Sequence, residues 1–333
     1  MMKKVVVAGL AVLLLVVLGA AGFVLGVMPR SRPASTRKVE ATPEKVARGR
    51  YLAENVFVCF HCHSQSDMSL FGTPSKPGTL GGGGQCLSPE MGFPGTMCMS
   101  NITPDAETGL GQWSDGEIIR AIREGVSRDG RALMPIMPYR LYREMSDEDA
   151  EALVAYLRSI PAIRNPLAKT RLDFPMNVLI RFSPEPLETA VTAPARSDTV
   201  AYGRYLTTVG GCVDCHTPTD EKREPLPGKH FAGGQVFGLE NDALVRSSNL
   251  TPHETGIGGL SRGTFIALFK RHALPEARRQ VAPERNTVMA WLAYAGMTEE
   301  DLGAIYDYLK TLPPVDNDVL PWSTPPVVAP ATP

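Results

Sequence analysis

The sequence predicts a mostly α-helical chain: one apolar N-terminal helix, then two small tandem domains that repeat each other. Three observations carry this. The pentapeptide Cys-x-x-Cys-His occurs twice, as Cys59-Phe60-His61-Cys62-His63 and Cys212-Val213-Asp214-Cys215-His216. Short segments around each motif recur in the same order. An uncharged apolar run from Val5 to Met28 precedes both.

That run comes first in the chain. Its 24 positions, at 1.5 Å of rise each, make a helix of about 36 Å, enough to cross a bilayer core with some tilt. A secretory signal usually has a shorter apolar core followed by a small-x-small cleavage site. Gly19-Ala20-Ala21-Gly22 offers small residues, but the apolar run continues past them. Residues 1–28 are therefore read as an uncleaved anchor, with a cleaved signal as the alternative. Lys3 and Lys4 face Arg30, Arg32, Arg37 and Lys38 across the run, so charge alone does not orient it. Residues 29–43, rich in Pro, Ser and charge, read as a tether.

Each Cys-x-x-Cys-His motif has the spacing of a c-type haem attachment site. Two thiols form thioethers with the vinyl groups, and the adjacent histidine ligates iron. The expected cofactors are thus two covalently attached haem c groups, on Cys59, Cys62 and His63 and on Cys212, Cys215 and His216. Covalent haem attachment occurs on the outer face of bacterial membranes. The domains are accordingly expected on the periplasmic side of the inner membrane, behind a single N-terminal anchor. Two of the six cysteines remain, Cys86 and Cys98, in one glycine-rich loop. In an oxidising compartment a disulfide between them is favoured over two buried thiols.

A chain of 333 residues accommodates two domains, and 31 Gly with 29 Pro fit short helices joined by long ordered loops. With a net charge of −1 and no basic stripe, nucleic acid is not expected as a partner.

The repeat sets the domain boundaries at 44–164 and 200–316, with a connector at 165–199 and a Pro-rich tail at 317–333. Arg48-Gly49-Arg50-Tyr51-Leu52 echoes Tyr202-Gly203-Arg204-Tyr205-Leu206 ahead of each motif. Asn101-Ile102-Thr103-Pro104 echoes Asn249-Leu250-Thr251-Pro252. Met137 to Pro161 aligns without gaps to Met289 through Pro313. Each half closes with a helix. Ser146 and Thr298 are N-caps, Ala150, Leu153, Val154 and Leu157 form one apolar stripe, and Leu302, Ile305, Tyr306 and Leu309 form its counterpart. An earlier helix starts at Ser114 with Glu117 at N3. No more than incidental strand is expected. The connector's apolar run, Phe174 to Ile180, is expected to pack on a domain or between the two.

Electron transfer calls for a second axial ligand on each iron, and methionine is common. Met137 and Met289 follow their histidines by 74 and 73 residues, in loop segments. Met145 and Met297 instead precede N-caps, where a hydrophobic residue packs on the first turn. Met137 and Met289 are therefore assigned as axial ligands, with Met134 as the rival in the first half. An axial histidine in the second half is the other alternative, though His230, His253 and His272 have no histidine partners in the repeat.

Residues 44–313 together resemble the cytochrome c subunits of membrane-associated alcohol, aldehyde, gluconate and related dehydrogenases. The specific segments are the Gly-Arg-Tyr-Leu approaches, Cys215-His216-Thr217-Pro218, Asn101-Ile102-Thr103-Pro104-Asp105, Gly109 to Asp115 and Met137-Pro138-Tyr139. The resemblance implies two tandem class I cytochrome c domains, each a small helical fold around its haem. It also implies an axial role for the Met of Met-Pro-Tyr and a haem-pocket role for Asn-(Ile/Leu)-Thr-Pro. Typical members carry three haem motifs, and many a C-terminal anchor. Here there are two motifs, and in the second half Met289 is followed by Ala290 and Trp291.

The expected function is electron relay, not catalysis. The donor would be a periplasmic or membrane dehydrogenase, and the acceptor an oxidase or a small cytochrome. The enzyme alternative is a dihaem peroxidase with one open haem site; the duplicated methionine argues against it. A zinc site built from the four motif cysteines would leave the histidines and the repeat unexplained.

Overall fold

The computed structural model describes residues 2–239 and 243–323 and is mostly helical. Helix α1 (Met2–Val27) carries the apolar run, and none of the described side chains of its candidate span, Met2–Val24, is buried in the rest of the protein. After it, residues 29–42 do not dangle. Arg32 pairs with Glu124 at 2.8 Å, Arg120 donates to the Arg32 carbonyl, and the Val39 amide donates to Asp115. The segment read as a tether thus lies along one helix of the first half.

Each half is framed by two crossing helices. In the first these are α2 (Pro43–Tyr51) and, after α3 (Cys59–Cys62), α4 (Asp115–Glu124) and α5 (Tyr139–Tyr142), the closing helix α6 (Asp147–Ser159). After α7 (Met176–Leu179) in the connector, the second half repeats the order. It has α8 (Thr199–Val209), α9 (Cys212–His216), α10 (Arg262–Lys270), α11 (Trp291–Tyr294) and α12 (Glu299–Leu309). The closing helices begin as the sequence indicates. Ser146 accepts the Asp149 amide and Thr298 the Asp301 amide, each at 3.1 Å. Ser114 and Glu117 close a full capping box on α4.

The crossings explain the first glycine of each half. A Cβ on Gly49 would collide with the Ala152 carbonyl, and one on Gly203 with the Ala304 carbonyl. Only a bare backbone lets α2 meet α6, and α8 meet α12, this closely. Leu153, Val154, Leu157, Leu302, Ile305 and Leu309 are all buried beneath the crossings. Burial is continuous between the halves, because one cluster includes Val56 and Tyr142 from the first together with Leu206 and Val209 from the second.

The halves differ between helix and motif. Gly49 to Cys59 is one residue longer than Gly203 to Cys212. The extra residue is absorbed as a π-helical turn at Leu52–Val56, whereas α8 stays α-helical to Val209.

Strand content exceeds the sequence expectation. Strands β1 (Cys86–Leu87), β2 (Gly95–Cys98) and β3 (Arg171–Leu172) form one antiparallel sheet. Strands β4 (Val236–Gly238), β5 (Leu244–Arg246) and β6 (Trp322–Ser323) form another. Strands of two to four residues are too short to display alternating polarity, so the sequence carries no sign of them. Cys86 and Cys98 are paired across β1 and β2 and joined by a disulfide. The Pro-rich tail is described only to Ser323, where it contributes β6; residues 324–333 lie outside the described residues. The connector packs less completely than expected: Ile180 is buried, but Phe174 is 81% exposed.

Candidate functional site

The motif helices α3 and α9 each start from a left-handed residue, Val58 at φ 45° and Gly211 at φ 70°. Glycine adopts this conformation freely, while for a β-branched valine it is strained. Among the described residues the free cysteines are the four motif cysteines, with Cys59 and Cys212 partly buried and Cys62 and Cys215 exposed. Burial pushes the thiols of Cys59 and Cys212 up to about 12, so both are neutral at physiological pH.

The histidines are held alike. Nδ1 of His63 lies 2.7 Å from the Ser100 carbonyl, and Nδ1 of His216 lies 2.8 Å from the Ser248 carbonyl. A carbonyl only accepts, so Nδ1 carries the proton and Nε2 keeps its lone pair for a metal. Burial lowers both imidazole pKa values, against the raising effect of those bonds, and so favours the neutral ligand form.

What positions those carbonyls is the Asn-x-Thr segment immediately following. Asn101 Nδ2 donates to the Ile163 carbonyl at 2.7 Å and to Thr108 Oγ1 at 3.0 Å, while its Oδ1 accepts the amide and hydroxyl of Thr103. Asn249 makes the same four bonds, to Val315, Thr255 and Thr251. Opposite, Gly83 and Gly233 donate their amides to the carbonyls of His63 and His216, each at 2.8 Å. Both have φ near +70°, and a Cβ on either would strike the backbone beside Ser100 or Ser248.

Met137 and Met289 sit two residues ahead of α5 and α11, partly buried, and the carbonyl of each accepts a bond from the amide two residues on. From those helices Tyr142 donates to the Phe57 carbonyl at 3.2 Å and Tyr294 to the Gly210 carbonyl at 3.0 Å. Phe57 and Gly210 each lie two residues before the first motif cysteine. One tyrosine per half therefore ties the methionine segment to its Cys-x-x-Cys-His helix. Met145 and Met297 are buried beneath the N-caps at 0% and 2% exposure, whereas Met134 is only partly buried. Met91 is exposed.

The two motif approaches face each other. Gly210 packs on the Val56 carbonyl, and the buried phenol of Tyr142 lies within the electrostatic reach of Cys59, Cys62 and, from the other half, Asp214. Around them the halves exchange tyrosines. Tyr51 donates to Asp301 at 2.7 Å and accepts the Thr298 amide; Tyr205 donates to Asp149 at 2.7 Å and accepts the Ser146 amide. Arg48 forks onto Asp149 at 2.8 and 2.9 Å, and Arg196 supports Asp301 at 3.5 Å.

A second link has no counterpart in the repeat among the described residues. The loop following the first motif, residues 66–73, enters the second half beside the Met289 segment. Asn286, 2% exposed, accepts the Gly72 amide and donates to the carbonyls of Met68 and Leu70, all at 3.0 Å. Phe71 stacks on His272, and the Arg279 guanidinium also lies over its ring. In the sequence the tyrosines stand out only as a repeated motif, and Asn286 only as the residue opposite Met134. A polar residue at a position that the repeat gives to a methionine is the one available signal.

The donor set fits a covalently bound haem c. Each motif offers two thiols and a neutral histidine, and one tyrosine ties each motif approach to a methionine-bearing segment. No family model matches the chain. It is similar to one subunit of the nicotinate dehydrogenase of Pseudomonas putida, at 33% identity over 88% of this chain and 24% of that one. It is also similar to the cytochrome c subunit of quinone alcohol dehydrogenase of Komagataeibacter europaeus, at 30% identity over 83% of this chain and 58% of that one. A diheme cytochrome c-type protein of Cereibacter sphaeroides is 26% identical over 95% of this chain and its own whole length. The chain thus spans about a quarter of the first relative and just over half of the second. Cytochrome subunits of fructose and gluconate dehydrogenases are homologues as well.

Proposed function

We propose that this homologue of dehydrogenase cytochrome c subunits is a dihaem, membrane-anchored cytochrome c. It relays single electrons from a periplasmic dehydrogenase to a respiratory acceptor, an oxidase or a small cytochrome. In this reading residues 44–164 and 200–316 are tandem class I cytochrome c domains on the outer face of the bacterial inner membrane, with α1 as the anchor.

Cys59, Cys62 and His63 hold one haem and Cys212, Cys215 and His216 the other, with Met137 and Met289 as the sixth ligands. Each haem supplies one reversible electron at its iron. The chain's own residues do the rest. The Ser100 and Ser248 carbonyls fix the histidine tautomer and raise the basicity of the ligating nitrogen. Tyr142 and Tyr294 hold the methionine segments against the motif helices. The clasp of Tyr51 and Tyr205 keeps the two attachment sites adjacent, which short-range electron transfer requires.

The carrying observation is the match, bond for bond, of the two histidine environments and of the tyrosine ties to the two methionine segments. Two equally closed sites support a relay, whereas a peroxidase requires one openable site. Single substitutions test it. M137A and M289A should each convert one of two haems to a high-spin form, and M134A neither. A high-spin haem in the unsubstituted oxidised protein would overturn the reading.

A further inference from the structure

The end of α1 is gripped by the connector. A helix leaves its last four carbonyls without intrahelical partners, and its C-terminus favours a cation. Arg181 supplies both needs: its Nη1 lies 3.4 Å from the Val24 carbonyl and 3.1 Å from that of Met28, just beyond the helix. Met28 itself is buried, and residues 29–42 are bound along α4, so α1 leaves the first half at a fixed place. Whatever lies within a few residues of Arg181 is therefore held at the level where α1 leaves a bilayer.

The residues there are unusual for a water-facing loop. Phe174, Leu179 and Phe182 are 81%, 54% and 48% exposed, while Ile180 between the last two is buried and pins the segment. Lys169, Arg171 and Arg30, all exposed, set positive charge near this apolar group, with the exposed carboxylates of Asp173 and Glu185 at its two ends. Exposed aromatic and aliphatic side chains with basic ones nearby suit the boundary between acyl chains and headgroups.

Resting on the reading of α1 as a membrane span, we propose that residues 174–182 form a second lipid contact. Phe174, Leu179 and Phe182 dip into the outer leaflet beside α1, and Arg181 locks pad and span together. The consequence is orientation. A single span leaves a domain free to swivel, whereas a span and a pad on one rigid body set which face of the haem domains meets the membrane and which meets partners.

The test uses the full-length holoprotein in nanodiscs of phosphatidylcholine and phosphatidylglycerol. The discs contain a phospholipid carrying a diazirine near the top of its acyl chain. After irradiation, lipid adducts are mapped by mass spectrometry. Adducts are expected in α1 and on residues 174–182, and F174S/L179S/F182S should lower the latter at least tenfold while sparing α1 and the haem spectrum. Adducts in α1 alone would overturn the pad and leave the anchor standing. Absence of adducts from α1 would overturn the anchor, and the pad with it.

Discussion

The two halves hold their histidines by the same bonds at nearly the same lengths, yet they hold their methionine segments differently. In the first half the Met137 segment is tied by Tyr142 to its own motif approach. In the second, Tyr294 makes the same tie, but Asn286 and Phe71 also lock the Met289 segment to a loop from the first half. What a covalent haem demands, a neutral histidine and a fixed pocket loop, stayed the same in both copies. What changed is who buttresses the methionine segment. The second site depends on the first half for its shape, and the first does not depend on the second in this way.

The helix crossing should fail equally in both halves. G49A and G203A each push a methyl into a carbonyl, and such overpacking against backbone costs about 3 kcal/mol or more, read as a lowered urea midpoint of the holoprotein. Unequal losses would mean that one crossing is less essential than the other.

Asn286 should break the symmetry. N286A strands the buried Gly72 amide and the Met68 and Leu70 carbonyls, costing about 2–3 kcal/mol. It should weaken the methionine–iron band of one haem only. The same band lost at both haems, or at neither, would refute the one-sided buttress.

The tyrosine clasp, by contrast, should be symmetric. Y51F and Y205F each remove a bond to a buried carboxylate, worth about 1.5–2 kcal/mol. Burial and the facing aspartate, Asp301 or Asp149, raise both phenols above their ordinary value near 10. The fold thus favours the protonated phenol. Its contribution is whole below about pH 10 and is lost as pH rises through the raised value. Stability in denaturant should therefore fall on the alkaline side of pH 10, and less so in Y51F/Y205F. A matching fall in that double variant would assign the loss to other groups.

The smallest effect lies at the start of the motif helices. Val58 stores strain that Gly211 does not, so V58G should stabilise by about 1 kcal/mol, the relieved strain exceeding the entropy glycine adds. A destabilised V58G would mean that the valine side chain's packing outweighs its backbone.

Much of this was legible in the sequence because the repeat fixed pairs of positions. The cysteines, the motif histidines, the capped closing helices and the Asn-x-Thr segments each have a local chemical signature. The contacts between halves have none. Nothing in Arg48 or Tyr202 announces that these repeat partners meet across the interface, at 3.4 Å. The π-turn was present in the chain as one extra residue between Gly49 and Cys59, but a count cannot tell a helical bulge from a longer loop. The connector misled because an apolar run predicts burial only when water is the sole alternative, and the lipid contact proposed for residues 174–182 is another.

The most direct measurement is a potentiometric titration of the full-length oxidised holoprotein, following the near-infrared methionine–iron band. Two haems per chain, both low-spin and both losing that band in one-electron steps, are the predicted result. A second haem that is high-spin, or low-spin without the band, would contradict Met137 or Met289 as a ligand, and with it the closed two-site relay.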